Sequence, residues 1–233
     1  MIDPKSVKEF WERRGLEEGR TMFESIANLE PDPELLRLKI DEETACVMPR
    51  LLLNNTIRML DLGAGVGQWS FRFAPLVKEV VAVEYSEPLA RIGMEAANEL
   101  GVNNIEYAIS SAEDYFTEKP FDLIFISGLF VYLTDEQASK LLFNLPKMLI
   151  PNGKLCLRDG TSILPERYFI NNRWSEVLQT NYSAIYRTRK EYIEIFKSAG
   201  FDLLEDCQVF NEGSPLNKYP ETRLRLYMFE GKA

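Results

Sequence analysis

Three glycines in five residues, at the end of an apolar run, constrain this chain more than any other stretch. The run is Ile57 to Leu62, broken by one acid at Asp61, and it continues as Gly63-Ala64-Gly65-Val66-Gly67. The run reads as a buried parallel strand and the glycines as the turn from that strand into a helix over Gln68 to Ala74. Glycine suits a turn that needs positive φ or a close approach of backbone to ligand. Backbone N–H groups and the positive end of a helix dipole then face whatever sits above the turn. The spacing is G-x-G-x-G, whereas the dinucleotide fingerprint G-x-G-x-x-G would need a third glycine where Gln68 stands. Asp61, just before the first glycine, suits a cationic amino group better than a pyrophosphate.

The pattern after the turn repeats. Glu79 to Tyr85 reads as a strand with an acid, Glu84, near its end, and Ser86 as the N-cap of a helix over Glu87 to Leu100 that Gly101 stops. Asn104 to Ile109 is a third strand, followed by the polar loop Ser110-Ser111-Ala112-Glu113-Asp114. Phe121 to Ser127 is a fourth strand. Thr134-Asp135-Glu136-Gln137 matches a capping box and opens a helix to about Leu149. A fifth strand, Lys154 to Arg158, ends at Asp159-Gly160. Strands alternating with helices imply a parallel sheet with helices on both faces, an α/β fold. Ligands of such sheets sit at the carboxyl ends of the strands. The residues there are Asp61 and the glycines, Glu84, the Ser111 loop, Ser127 and Asp159.

Several chemistries are excluded. The chain of 233 residues contains no histidine, which removes the usual general base, the Ser–His and Cys–His nucleophiles and histidine metal sites. Its three cysteines, Cys46, Cys156 and Cys207, are far apart in sequence and show neither zinc nor redox spacing. No metal site is expected, and a reducing, cytoplasmic compartment is the simplest reading. The net charge of −9 argues against a nucleic-acid partner. No secretory leader and no membrane span are expected, since Met1-Ile2-Asp3-Pro4 leads into a charged segment and no apolar run is long enough.

Two flanking regions lack a chemical motif. Lys5 to Arg14 reads as an amphipathic helix with Val7, Phe10 and Trp11 on one face, and a second helix runs from about Glu34 into the forties. They either pack on the core edge or close over a ligand at the glycine turn, with Trp11, Arg14 and Arg20 as contacts. Residues 161–190 exceed an ordinary connection. They hold Arg167, Arg173, Arg187, Arg189 and Lys190 against only Glu166 and Glu176, and also Tyr168, Phe169, Trp174, Tyr182 and Tyr186. A basic, aromatic segment in an acidic protein suits an anionic acceptor, because arginine offers a fixed fork of donors. Arg173, Tyr182 and Arg187 are the expected substrate contacts. The alternative is that these arginines pair with acids of the main domain. Thr188-Arg189-Lys190-Glu191 starts a last helix, and Phe201 to Phe210 with Arg223 to Phe229 reads as a closing strand pair.

The stretches L-D-L-G-A-G-V-G, V-E-Y, S-A-E-D, F-D-L-I-F-I-S-G-L-F-V-Y-L and L-I-P-N-G-K-L-C-L, in that order, resemble the class I S-adenosylmethionine-dependent methyltransferases over residues 57–160. The resemblance implies a three-layer, Rossmann-like, seven-stranded sheet whose last strand is antiparallel. It divides the chain into an N-terminal helical segment or lid, 1–55, and a methyltransferase domain, 56–233, with an acceptor lid inserted at about 161–190. It implies S-adenosylmethionine as cofactor, with Asp61, Gly63 and Gly65 around its methionine part and Ala64 and Gln68 also among the cofactor-binding residues. Glu84 falls where the family binds the ribose hydroxyls, which one carboxylate can accept together. Ala112 and Glu113 fall at the adenine, Tyr85 beside it, and Ser127 along the cofactor. Tyr132 stands where many relatives have histidine, leaving Asp159 as first and Tyr132 as second choice of base. The implied reaction is methyl transfer to a polar, anionic small molecule or glycan precursor, on oxygen by preference. The competing readings are an amine or peptide N-terminus, because the chain also looks somewhat like protein α-N-terminal methyltransferases, or a silent cofactor-binding module.

Overall fold

The structure is a computed structural model that describes residues 2–16, 30, 32–176 and 180–232. The expected alternation of strands and helices is present. Strands β1 (Arg58–Leu62), β2 (Glu79–Glu84), β3 (Ile105–Ile109), β4 (Phe121–Ser127) and β5 (Leu149–Ser162) pair in parallel in the order β3-β2-β1-β4-β5. β9 (Thr222–Gly231) then adds antiparallel to β5, and β8 (Phe201–Gln208) pairs with β9 at the far edge. Strand order therefore reverses between β1 and β4, where a ligand crevice opens at the carboxyl ends.

Strand alternation sends neighbouring side chains to opposite layers. Met59, Leu123, Phe125 and Cys156 pack against Val47 and Leu51 of α2 (Pro33–Leu51) and Trp69 and Phe73 of α3 (Gln68–Phe73). Leu60, Leu62, Ile124, Ile126, Leu155 and Leu157 pack on the other side. Their partners include Leu141 of α5 (Asp135–Asn144) and Tyr192 and Phe196 of α6 (Arg189–Ser198). Each such buried side chain stabilises the fold by about 1.5–3 kcal/mol. Both predicted capping boxes form, at Thr134 with Gln137 and at Thr188 with Glu191.

Three local expectations are corrected. α5 stops at Asn144 and a 3-10 turn over Leu145–Met148 takes its place, because Pro146 cannot continue an α-helical ladder. β5 begins at Leu149 rather than at the expected Lys154, with a shift in its pairing with β4 between Leu149 and Lys154. β5 also runs past Asp159 to Ser162: β4 ends opposite Arg158, yet β9 keeps pairing as far as Ser162. Asp159 is thus a strand residue beyond the edge of its parallel neighbour. Residues after it carry a separate two-stranded sheet, β6 (Tyr168–Ser175) with β7 (Thr180–Tyr186). At the N-terminus, α1 (Pro4–Leu16) lies across α4 (Glu87–Glu99) so closely that a Cβ on Gly15 would stand 2.7 Å from Pro88 Cβ. Among the described helices none is long and apolar enough to cross a membrane.

Candidate active site

The glycine turn is held from below. The N–H groups of Gly63 and Ala64 both donate to Val83 O, at 2.9 and 3.0 Å, and Gly67 N–H donates to Ala64 O at 2.8 Å. Gly63 and Gly65 adopt φ of 74° and 58°, left-handed values that a residue with a Cβ resists. Two carboxylates bracket the turn. Asp61 accepts a hydrogen bond from Ser70 Oγ at 2.6 Å, and Glu84 accepts from the N–H groups of Gly65 and Ser86 at 2.9 and 2.8 Å. Both are buried, and desolvation pushes their pKa values up, to about 6 for Asp61 and about 7 for Glu84. Backbone and hydroxyl donors pull the other way without winning. Each carboxylate therefore lacks compensation that a ligand donor or cation would supply. Below the turn, Tyr107 of β3 donates to Val66 O at 3.2 Å.

A second group of side chains lies across the reversal point. Asp159 is fully buried; it accepts from Phe130 N–H and Gly160 N–H, both at 2.7 Å. Burial raises its pKa to about 7, above what those two donors and the more distant Arg187 and Arg158 recover. Beside it the hydroxyls of Tyr132, Tyr182 and Tyr186 form a chain, 3.2 and 3.4 Å apart. Burial pushes all three phenols up, so they are neutral hydrogen-bonding groups. The Tyr186 ring packs on Gly160, where an added Cβ would come within 2.7 Å of it. α1 spans the two groups. Tyr85 donates to Val7 O at 3.4 Å, and the Trp11 and Tyr132 rings meet edge to face at 5.2 Å. Arg13 Nη2 donates to Thr180 Oγ1 at 2.6 Å. One continuous cavity of about 1710 Å³ runs beneath α1 and past both groups. That exceeds the roughly 300–1,000 Å³ usual for one small ligand, so two ligands fit.

Residues 59–153 match a family described as "Methyltransferase domain". Those residues form a methyltransferase domain. Over 209 residues the chain is 25% identical to phosphoethanolamine N-methyltransferase 1 of Zea mays, covering 89% of this chain and 37% of that protein. It is 26% identical over 149 residues to the N-terminal Xaa-Pro-Lys N-methyltransferase 1 of Rattus norvegicus, covering 63% and 62% of the two chains. Among solved structures, it resembles the Haemonchus contortus phosphoethanolamine N-methyltransferase 1 complexed with phosphoethanolamine and S-adenosylhomocysteine. The TM-score is 0.75 at 20% identity, over 99% of this chain and 49% of that one. The chain thus spans about half or less of the phosphoethanolamine enzymes that it matches.

In this methyltransferase domain the residues expected at the cofactor all line the cavity: Asp61, Gly63, Ala64, Gly65, Gln68, Glu84, Tyr85, Ala112, Glu113 and Ser127. Glu113 is partly committed, accepting from Gln137 Nε2 at 2.8 Å. The crevice fits the cofactor on this chain's own geometry. The open, positive-φ backbone at Gly128 lines the same cavity as two carboxylates short of a donor or a cation. Asp159, Tyr132, Arg173 and Tyr182 line the same cavity. Arg173 is exposed on β6 and has no ion pair among the described residues.

Arg187 does not belong to the site and is a correction. It is 1% exposed and lies outside the cavity lining. Its guanidinium donates to Phe130 O, Leu133 O and Asp135 Oδ1 at 2.7, 2.9 and 2.8 Å, pinning the turn after β4. Arg167 likewise pairs with Asp135 and Glu191. For those two arginines the reading as partners of main-domain acids is the right one. Arg14 is buried outside the cavity lining, Trp11 lines it, and Arg20 lies outside the described residues. Sequence reasoning gave no role to Arg158, Lys39 and Glu43, which also line the cavity. The only signal for Arg158 was an arginine inside an otherwise apolar strand.

Proposed function

We propose that this chain transfers a methyl group from S-adenosylmethionine to a nitrogen of a small anionic amine. The observation that carries the reading is Asp159. It is a fully buried carboxylate, pushed to a pKa of about 7, set against three neutral tyrosine hydroxyls in the acceptor half of the cavity. Such a group seeks a cation or a transferable proton, and an acceptor ammonium offers both. S-adenosylmethionine, when bound, supplies a methyl carbon on a sulfonium that is open to in-line attack. Asp61 and Glu84 orient the donor by its ammonium and ribose, and α1 over the cavity excludes water. The tyrosine hydroxyls and Arg173 hold the acceptor's anionic end, while Asp159 takes the proton from its nitrogen. Alignment of the two reactants supplies much of the rate. The likeness to phosphoethanolamine N-methyltransferases, named for a small anionic amine, supports the nitrogen acceptor.

Oxygen methylation of a sugar-like acceptor is the second reading, favoured by the exposed aromatic faces of Phe169 and Trp174 on β6. Turnover to S-adenosylhomocysteine separates them. Phosphoethanolamine is expected to react, whereas ethanolamine, which lacks the anion, and glycerol phosphate, which lacks the amine, react poorly. Turnover with glycerol phosphate or a sugar phosphate, and none with phosphoethanolamine, overturns the nitrogen reading.

A further inference from the structure

The amino-acid end of the proposed cofactor is a zwitterion, and Asp61 accounts only for its ammonium. The sheet register indicates where the carboxylate goes. Asp61 pairs with Phe125, and Ser127, two residues on, pairs with Arg158. A period of two puts Asp61, Phe125, Ser127 and Arg158 on one face of the sheet, the face covered by α2 and α3. Arg158 therefore stands two strands from Asp61, roughly 10 Å across the sheet at the usual strand spacing. Its neighbour Asp159 points to the other face, toward the acceptor.

The guanidinium of Arg158 is built into the cavity wall. The residue is 9% exposed and lines the cavity. Nη1 donates to Ser127 Oγ at 2.8 Å, back toward the glycine turn, and Nη2 pairs with Glu43 of α2. Its buried Nε has no hydrogen-bond partner among the described residues. Among the described residues Arg158 shares its carboxylate partner, Glu43, with a second guanidinium. Arg72 sits over the same Trp69 ring, at 4.5 Å against 5.8 Å for Arg158. Lys39, one turn before Glu43 on α2, lines the same wall. Glu43 faces both guanidiniums, whereas Lys39 is drawn toward both Glu43 and Glu30. Two largely buried guanidiniums facing one carboxylate among the described residues are unusual in a protein of net charge −9. They are what a buried carboxylate from a ligand needs.

We propose that Arg158 binds the carboxylate of the cofactor's amino-acid end while Asp61 binds its ammonium. β1 and β5 then hold opposite poles of one ligand. This rests on the cofactor reading above, and the test keeps the two apart. Isothermal titration compares S-adenosylhomocysteine with its decarboxylated analogue, 5′-(3-aminopropylthio)-5′-deoxyadenosine, which keeps the ammonium and lacks the carboxylate. The wild-type chain is expected to bind the first at least 10-fold more tightly, and Arg158→Met to erase most of that preference while binding the analogue almost unchanged. Arg158→Lys should recover part of the preference. Because Arg158→Met strands Glu43, the pair Arg158→Met with Glu43→Gln is measured alongside, each checked by far-ultraviolet circular dichroism. Equal affinity of the wild type for both ligands overturns the carboxylate site alone. So does equal loss for both ligands in the folded double variant. Binding of neither ligand by the wild type overturns the cofactor reading and this one with it.

Discussion

The two halves of the cavity are built from different materials. The cofactor half is mostly backbone: positive-φ glycines, N–H groups of Gly63 and Ala64 tied to Val83 O, and two carboxylates, Glu84 fixed by the N–H groups of Gly65 and Ser86 and Asp61 by a serine. The acceptor half is mostly side chain, assembled from α1, β5, β7 and the turn after β4, with tyrosine hydroxyls touching one another. Backbone geometry tolerates few substitutions, so a change there costs binding outright. Side-chain walls can be exchanged without unfolding the sheet, so a change there should alter turnover or choice of acceptor.

The largest expected effect breaks the first half. Gly63→Val places a β-branched side chain at φ 74° with its Cβ within 3.2 Å of Leu129. Strain of about 1–3 kcal/mol lowers the melting temperature by several degrees, and S-adenosylhomocysteine binding is expected to disappear from calorimetry. Asp159→Asn attacks the second half. It is expected to lower kcat by about 10²–10⁴-fold with cofactor affinity near normal, if Asp159 is the base. Asparagine offers one carbonyl oxygen to two N–H donors, so some stability goes too. The pH profile keeps the roles apart: wild-type kcat should rise through an apparent pKa near 7, and the variant should lose that limb. An unchanged limb assigns Asp159 to holding Phe130 and leaves Tyr132 as the base to test.

Smaller effects sharpen the contrast. Glu84→Ala is expected to weaken S-adenosylhomocysteine by about 10- to 100-fold, the loss of one or two bonds to a charged acceptor, with acceptor KM unaffected. Arg173→Ala should do the reverse, raising acceptor KM by about 10-fold with cofactor affinity retained. Its exposure makes that effect shrink as salt rises, which kinetics at two ionic strengths will read. The smallest effect is on pH. Asp61 has a folded pKa of about 6, above its unfolded value, so the unliganded protein loses stability as pH rises from about 4 through 6. A bound ammonium favours ionised Asp61. Affinity for S-adenosylhomocysteine should therefore grow by about fourfold from this residue between pH 5.5 and 7.5, and Asp61→Asn should remove that increment.

The same division decides what was legible in the sequence. Glycine spacing, Asp61 and Glu84 can be read from one dimension, because a strand, a turn and a helix fix them locally. Strand alternation placed Asp159 at the crevice, although it did not show that β9 carries the strand beyond it. The lid arginines were not legible. Arg173 and Arg187 are the same residue type in one basic segment, yet one faces the cavity and the other clamps carbonyls 54 and 57 residues away. The place of Arg173 depends on a hairpin register with a shift between Ile170 and Arg173, and that of Arg187 on carbonyls of the turn after β4. Arg158 was hidden for a related reason: its partners lie on α2 and β4, and only the assembled sheet brings Glu43 and Ser127 to it.

The tyrosine beneath the glycine turn has a consequence for how this sequence can drift. The hydroxyl of Tyr107 lies 2.1 Å from where a Cβ on Gly67 would stand and 2.2 Å from one on Gly93 of α4. Three positions on a turn, a helix and a strand thus share one volume. Gly93→Ala alone is obstructed, and Phe at 107 does not release it, since a ring carbon would remain at 2.5 Å. Only a much smaller residue at 107 makes room, and by itself that change opens a void and forfeits the bond to Val66 O. Each single step is harmful and the pair is tolerable, which is reciprocal sign epistasis written in van der Waals radii. Descendants of this chain should carry tyrosine with glycine, or a small residue with alanine, and seldom the mixtures.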